Sequence, residues 1–221
     1  NKYNLKLIDF IIGIVFMLFF VAASLIIVIN SRFLYYNAID SFQLEKQSGL
    51  KKDTIIKNYD VLIDYCSPFY KEQLQFPDLP SSESGLSHFA ETKIIFKFFY
   101  SLATITGILL LSIILYKNKK HDTSYLKTSA YTVIILPLLI LIIAGINFNK
   151  LFILFHKMVF HNDDWLFDPD TDPIINLLPE DFFRYCTIEM LLLIITGALL
   201  LLFFYKRLST KHDKYEHIRY N

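Results

Sequence analysis

Two stretches of this sequence place histidine where it could do chemistry. His156 and His161 fall in 151–183, with Asp163, Asp164, Asp168, Asp170 and Asp172, between two strongly apolar runs. His88 stands in Leu86-Ser87-His88-Phe89-Ala90-Glu91-Thr92-Lys93, just before another apolar run. Ionisable groups at the edge of a membrane are costly to bury, which marks both stretches as candidate sites. An imidazole titrates near neutrality, so the chemistry on offer is proton abstraction and delivery. An interfacial histidine bonded to backbone is the plainer alternative for each.

Other chemistries fit these residues less well. A metal site built from His156, His161 and Asp163 matches no standard ligand spacing, and no metal or other cofactor is expected. The alternation of Asp168, Asp170 and Asp172 is that of a calcium loop, but the required glycine and closing glutamate are missing, and Pro169 and Pro173 intervene. A solvated turn fits that segment better. Neither Cys66 nor Cys186 has the neighbouring histidine and orienting acid of a nucleophile, and a disulfide between them is permitted without being required. The sequence carries no GxSxG, Walker loop or dinucleotide fingerprint.

The elements that must position these histidines are membrane helices. Of the 221 residues 54% are hydrophobic, with 21 Phe and 14 Tyr, far too apolar for an ordinary soluble domain. Formal net charge is only +1, and no long basic block suggests a nucleic-acid partner. Roughly 20 apolar residues cross a bilayer, and the runs 10–29, 98–116 and 128–149 qualify. A fourth, 190–205, is short and must recruit 185–189, which puts Glu189 near a surface. The expectation is one all-α integral membrane domain with spans at about 7–30, 94–116, 128–153 and 185–205.

Basic residues set the orientation. Lys2 and Lys6, then Lys117, Lys119, Lys120 and Lys127, then Lys206, Arg207, Lys211, Lys214 and Arg219 fall in three short segments that share the cytoplasmic side. Both termini are therefore expected inside the cell, with 31–93 and 154–184 extracytoplasmic. The first apolar run exceeds a signal-peptide core and reads as a retained anchor, and the absent initiator Met reads as trimming or as numbering that starts later.

The outer segments carry their own local signals. Residues 55, 56, 59, 62 and 63 form an apolar stripe at helical spacing, ended by Ser67-Pro68. Ser84 or Ser87 is the expected cap for the helix that carries His88 into the membrane. If the third helix runs past the membrane core, His156 shares a face with Phe155 and Phe160, while His161 falls where the helix breaks into Asn162-Asp163-Asp164. Asp168-Pro169 and Asp172-Pro173 fix a rigid loop, Pro179-Glu180-Asp181 can start the fourth helix, and Trp165 and Phe167 suit a headgroup layer.

The long pattern Phe155-His156-x-x-x-Phe160-x-Asn162-Asp163-x-Trp165-x-x-Asp168-Pro169, followed by Asp172-Pro173-Ile174-Ile175-x-Leu177-Leu178-Pro179-Glu180-x-Phe182-Phe183, resembles the signature of the lipoprotein intramolecular transacylase family of small bacterial membrane proteins. Asn58-Tyr59 with Leu62-Ile63-x-Tyr65, and Ser87-His88-x-x-Glu91-x-Lys93, resemble that family's outer-loop motifs. Glu91-Thr92 departs from the expected aspartate and aliphatic residue. The likeness covers nearly the whole chain, with four helices and a largely helical extracytoplasmic region.

What the resemblance implies is acyl migration within a diacylated bacterial lipoprotein at the outer face of the cytoplasmic membrane. The sn-2 chain of the thioether-linked glycerol moves to the α-amine of the N-terminal cysteine, leaving a lyso form. His156 and His88 are the implied catalytic pair, with Tyr59, Phe155, Phe160, Asn162, Trp165 and Asp168 implied in substrate binding. No soluble cofactor or acyl donor is implied; the partners are the lipoprotein N-terminus and membrane lipid, with no nucleic acid and no obligate protein partner. A transient acyl-histidine is the covalent variant. The alternative from another class is a non-catalytic membrane accessory or sensor that binds lipid or protein through its outer loops.

Overall fold

The computed structural model describes residues 2–219, and side chains other than those of 2–5, 136, 144, 146 and 211–219; Lys2, Lys211, Lys214 and Arg219 of the basic flanks lie outside the described side chains. Among the described residues the fold is all-helical with no strand. In chain order the helices are α1 (Lys2–Asn30), α2 (Arg32–Ser41), α3 (Leu44–Ser48), α4 (Lys52–Cys66), α5 (Glu83–Lys119), α6 (Ser124–Ile146), α7 (Phe148–Val159) and α8 (Glu180–Arg219), with one turn of 3-10 helix at Pro173–Leu177. Four helices, α1, α5, α6 and α8, are long enough and contain a stretch apolar enough to cross a membrane, within Lys6–Asn30, Glu83–Lys119, Ser124–Ile143 and Glu180–Thr210.

Two local expectations change. The helix of the third span, expected to run to 153, ends at Ile146. Asn147 adopts extended backbone and its side chain accepts a hydrogen bond from Lys150 N at 2.9 Å, so it caps a separate helix, α7. That bond satisfies one of the donors a helix start leaves open, and it stops α6 from continuing. Likewise the cap of α5 is Ser82, whose Oγ accepts from Gly85 N at 2.9 Å, rather than Ser84 or Ser87. The helix begins a turn earlier than its apolar pattern implies because its first turn is polar.

Within the chain, contacts gather into two compact units. One comprises Asn1–Ser24, Ser101–Ile142 and Met190–Asn221; the other comprises Leu25–Tyr100 and Ile143–Glu189. In the first, Phe16, Phe20 and Tyr125 stack, and glycine permits close approach where Gly13 meets Thr132 and Gly197 meets Phe20. Its buried charges are gathered in one cluster. Lys117 Nζ contacts Asp9 Oδ1 at 3.1 Å and Asp122 Oδ2 at 2.5 Å, while Ser124 Oγ donates to Asp9 Oδ2 at 2.6 Å.

The second unit is built around α4. Its stripe is buried as expected, through Ile55, Tyr59, Leu62 and Ile63, and the helix ends at Cys66 before Ser67-Pro68. Tyr35 of α2 stacks on Tyr59 at 3.5 Å between ring centroids, and its hydroxyl donates to Leu177 O at 2.8 Å. Burying a phenol demands such a partner, so this bond ties α2 to the 3-10 turn. Arg32 extends the tie at the surface by pairing with Asp60 and Asp64 of α4.

Candidate active site

All the histidine chemistry expected from the sequence lies in the second unit. His88 leaves α5 one and a half turns after its start, and His156 leaves α7 one turn before its end. Their rings are 6.0 Å apart between centroids, and both residues are buried, at 7% and 9% exposure. Phe160, which ends α7, lies 4.6 Å from the His88 ring and 5.6 Å from the His156 ring. Other aromatic side chains surround the pair. Phe167 meets His88 edge-on at 5.4 Å, Trp165 lies 4.9 Å from His156, and Phe152 and Phe155 lie 4.1 Å and 5.4 Å from it.

Hydrogen bonding distinguishes the two imidazoles. His156 Nδ1 lies 2.7 Å from Phe152 O. A carbonyl only accepts, so Nδ1 carries the proton and Nε2 of the neutral ring keeps its lone pair. Burial lowers the His156 pKa, against a smaller opposing effect of the Phe152 bond, so the ring is neutral at pH 7 and able to act as a base. His88 Nδ1, by contrast, is buried with no hydrogen-bond partner among the described residues. A buried polar atom left open in this way marks a place where a reacting group can bond.

The loop after α7 holds the two histidine-bearing helices in register. Asn162 donates through Nδ2 to Glu91 Oε1 at 2.9 Å, accepts at Oδ1 from Asp164 N at 3.1 Å, and accepts at its carbonyl from Trp165 Nε1 at 3.2 Å. One residue therefore fixes the indole beside His156 and reaches the helix of His88. Asp172 is the second clamp: Oδ1 accepts from Ser82 N at 2.8 Å and Oδ2 from the Thr171 hydroxyl at 2.8 Å. Its carboxylate sits at the N-terminus of α5, where negative charge is favoured. Gly85 makes room for it, since a Cβ there would overlap the Asp172 carboxylate.

Of the residues expected at the site, the structure brings together His88, His156, Phe155, Phe160, Asn162 and Trp165. Tyr59 and Asp168 are engaged elsewhere. Tyr59 is 3% exposed in the aromatic core, against Tyr35 and Phe182. Asp168 is exposed and turns its carboxylate to Asp170 N at 3.0 Å, while its carbonyl accepts from Thr171 N and Asp172 N. It shapes the loop that presents Asp172. His161 is also exposed. Among the described residues no three His, Cys, Asp or Glu side chains are grouped to share a metal ion. Cys66 and Cys186 are free thiols, and burial pushes the Cys66 thiol up to about 12, far from a reactive thiolate.

Sequence reasoning missed Glu91, Asp172 and Phe167 as parts of this site. Glu91 sits three residues after His88 and Gly85 three before it, spacings that share one helix face and so held a usable signal. The meeting of Asp172 with Ser82 across 90 residues left no local signal.

The family model for "Lipoprotein intramolecular transacylase Lit" matches residues 10–183. This chain belongs to that family. A solved structure of the membrane integral lipoprotein intramolecular transacylase Lit from Bacillus cereus is 34% identical, covers 97% of this chain and 100% of its own, and superposes with a TM-score of 0.93. Two variants of the Bacillus cereus protein, with one histidine changed to arginine or to alanine, are each 33% identical, with TM-scores of 0.86 and 0.87. They cover 96% of this chain, and 96% and 97% of their own lengths. No curated protein sequence matches the chain. An acyltransferase-type enzyme of the lipoprotein transacylase family, with four helices able to cross a membrane, is what these likenesses establish.

Proposed function

We propose that this protein moves the sn-2 acyl chain of a diacylglyceryl-modified lipoprotein to the α-amine of its N-terminal cysteine by histidine acid–base catalysis. The observation that carries the reading is the pair of buried imidazoles 6.0 Å apart within an aromatic enclosure. Rings at that separation are close enough to act on the same substrate group, one taking a proton and the other giving one back.

The roles follow from the protonation pattern. An α-amine has a pKa of about 7.7 to 8 and is largely protonated at neutral pH, so it must lose a proton before it can attack. His156 is the principal base, through Nε2, because Nδ1 is committed to Phe152 O. His88 polarises the ester or returns a proton to the departing glycerol oxygen, and the two assignments are reversible. Orientation supplies much of the remaining barrier reduction: the amine must fold back on its own ester through a medium-sized ring, and holding that geometry offsets several kcal/mol. Phe155, Phe160 and Trp165 give apolar surface for the lipid, Asn162 orients the loop, and Tyr59 and Asp168 contribute through packing and loop shape. The site faces outward from the bacterial cytoplasmic membrane, with both termini inside, in keeping with the density of Lys and Arg in the segments flanking 31–93 and 154–184. No soluble cofactor takes part.

Mass spectrometry of lipoprotein N-terminal peptides tests the proposal, because it reports where the acyl chain sits. A bacterial host lacking N-acylation and producing this protein should yield N-acyl, lyso-glyceryl cysteine, and His156→Ala or His88→Ala should yield only the diacylglyceryl form at equal protein abundance. Conversion at the normal rate by both variants would sink the mechanism. Label retained on the protein after mixing with acyl-labelled substrate would favour the acyl-histidine variant over direct transfer.

A further inference from the structure

Glu91 has no part in the proton transfers above, yet it is an acid built into this site through Asn162. It lies at the i+3 position from His88, so the two side chains leave α5 on one face, with Cβ atoms roughly 5 to 6 Å apart. One carboxylate oxygen, Oε1, is taken up by Asn162 Nδ2 at 2.9 Å. The other, Oε2, is buried with no hydrogen-bond partner among the described residues. The carboxylate is not free to turn towards water, because Asn162 is itself pinned by Asp164 N and Trp165 Nε1. An acceptor withdrawn from water without a donor is destabilising unless a ligand supplies one. His88 Nδ1, on the same face of the helix and in a residue 7% exposed, is a second buried atom without a partner.

The chemistry of the substrate narrows what can fill such a place. The ester groups of a diacylglyceryl cysteine offer only acceptors, whereas its α-ammonium carries three N–H donors and a positive charge. We propose that Glu91 Oε2 receives the α-ammonium of the N-terminal cysteine and so makes a free amine a condition of binding; this rests on the lipoprotein reading given above. Glu91 takes no proton. It accepts an N–H hydrogen bond while His156 removes one proton to solvent; the nitrogen lone pair then forms the amide C–N bond. The ester C–O bond breaks onto the sn-2 oxygen, which receives the second nitrogen proton by way of the histidine pair. Asn162 acts as a positioning residue that aims the carboxylate.

The test compares two ether-linked, non-reacting diacylglyceryl lipopeptides, one with the α-amine and one with hydrogen in its place, bound to the purified full chain in detergent at a pH of about 6.5. Charge-assisted hydrogen bonds are worth enough that the wild type should prefer the amine by about 10-fold or more. Glu91→Gln, which keeps the shape and a partner for Asn162, should bring that preference close to unity. A preference unchanged in Glu91→Gln, or absent from the wild type, overturns the proposal. Should Glu91→Gln fail to fold, Glu91→Asp takes its place, and there a reduced preference supports the assignment and an unchanged one overturns it. Conversion of the ester lipopeptide is followed separately. Normal wild-type conversion without amine preference removes only the role of Glu91, whereas amine preference without conversion removes only the transacylase reading.

Discussion

Two clusters of buried charged and titratable groups, one in each unit, are satisfied differently. In the first, Lys117 is surrounded by Asp9 and Asp122, and Ser124 donates to Asp9, so that cation and carboxylates satisfy one another. In the second, His88 Nδ1 and Glu91 Oε2 are buried without partners among the described residues, and His156 uses one nitrogen on backbone. Structural burial closes its hydrogen bonds internally, because an open charge in a low dielectric is destabilising. A site that must bond a substrate leaves some of them open and is stabilised less for it. On the reading proposed here, the first cluster holds the fold and the second meets a ligand.

Substitutions in each unit should therefore fail in different ways. The largest expected effect is on turnover: His156→Ala and His88→Ala should each lower lyso-lipoprotein formation per folded protein by about 10²- to 10⁴-fold, measured by mass spectrometry, whatever stability the cavities cost. Next is Lys117→Met in the first unit, which strands Asp9 and should reduce stability by about 3 to 5 kcal/mol in detergent unfolding while the remaining folded protein keeps its specific activity. A Lys117→Met protein as stable as wild type would show that the cluster does not hold the fold. Smaller and opposite in sign is His88→Phe. Removing an unsatisfied buried nitrogen from an aromatic enclosure should raise stability by about 1 to 3 kcal/mol while eliminating activity, and a fall in stability would break the contrast between the units.

The smallest effect is that of pH. Burial holds the His156 pKa below the ordinary histidine value of about 6.5, so between the folded value and 6.5 the unfolded chain binds more protons. The stability contributed by the neutral ring is thus complete above about 6.5 and declines as pH falls through that window. Unfolding midpoints at several pH values should show this decline in the wild type and less of it in His156→Phe. Equal slopes would mean that His156 is not held neutral.

Much of this was legible in the linear sequence because it is local. Bilayer-length apolar runs specify the spans, an i, i+3, i+4 stripe specifies α4, and the pattern around Phe155-His156 and Asp168-Pro169 carries the family likeness. The break between α6 and α7 was not legible, since Asn147 ends an apolar run only by capping Lys150 N, a choice that depends on backbone geometry. The place of Tyr59 was not legible for a related reason: a motif tyrosine looks the same in sequence whether it lines a site or stacks in a core, and here it stacks on Tyr35.

The sequence by itself determined which segments can cross a membrane, which histidines stand beside them, and which family the chain resembles, because composition and periodicity act over a few turns of chain. Only the tertiary structure decided that His88 and His156 share one enclosure, that Asn162 reaches Glu91, and that Asp172 clamps the start of α5. Those contacts join residues 68 to 90 positions apart, where loop closure and packing, rather than local preference, select the partner.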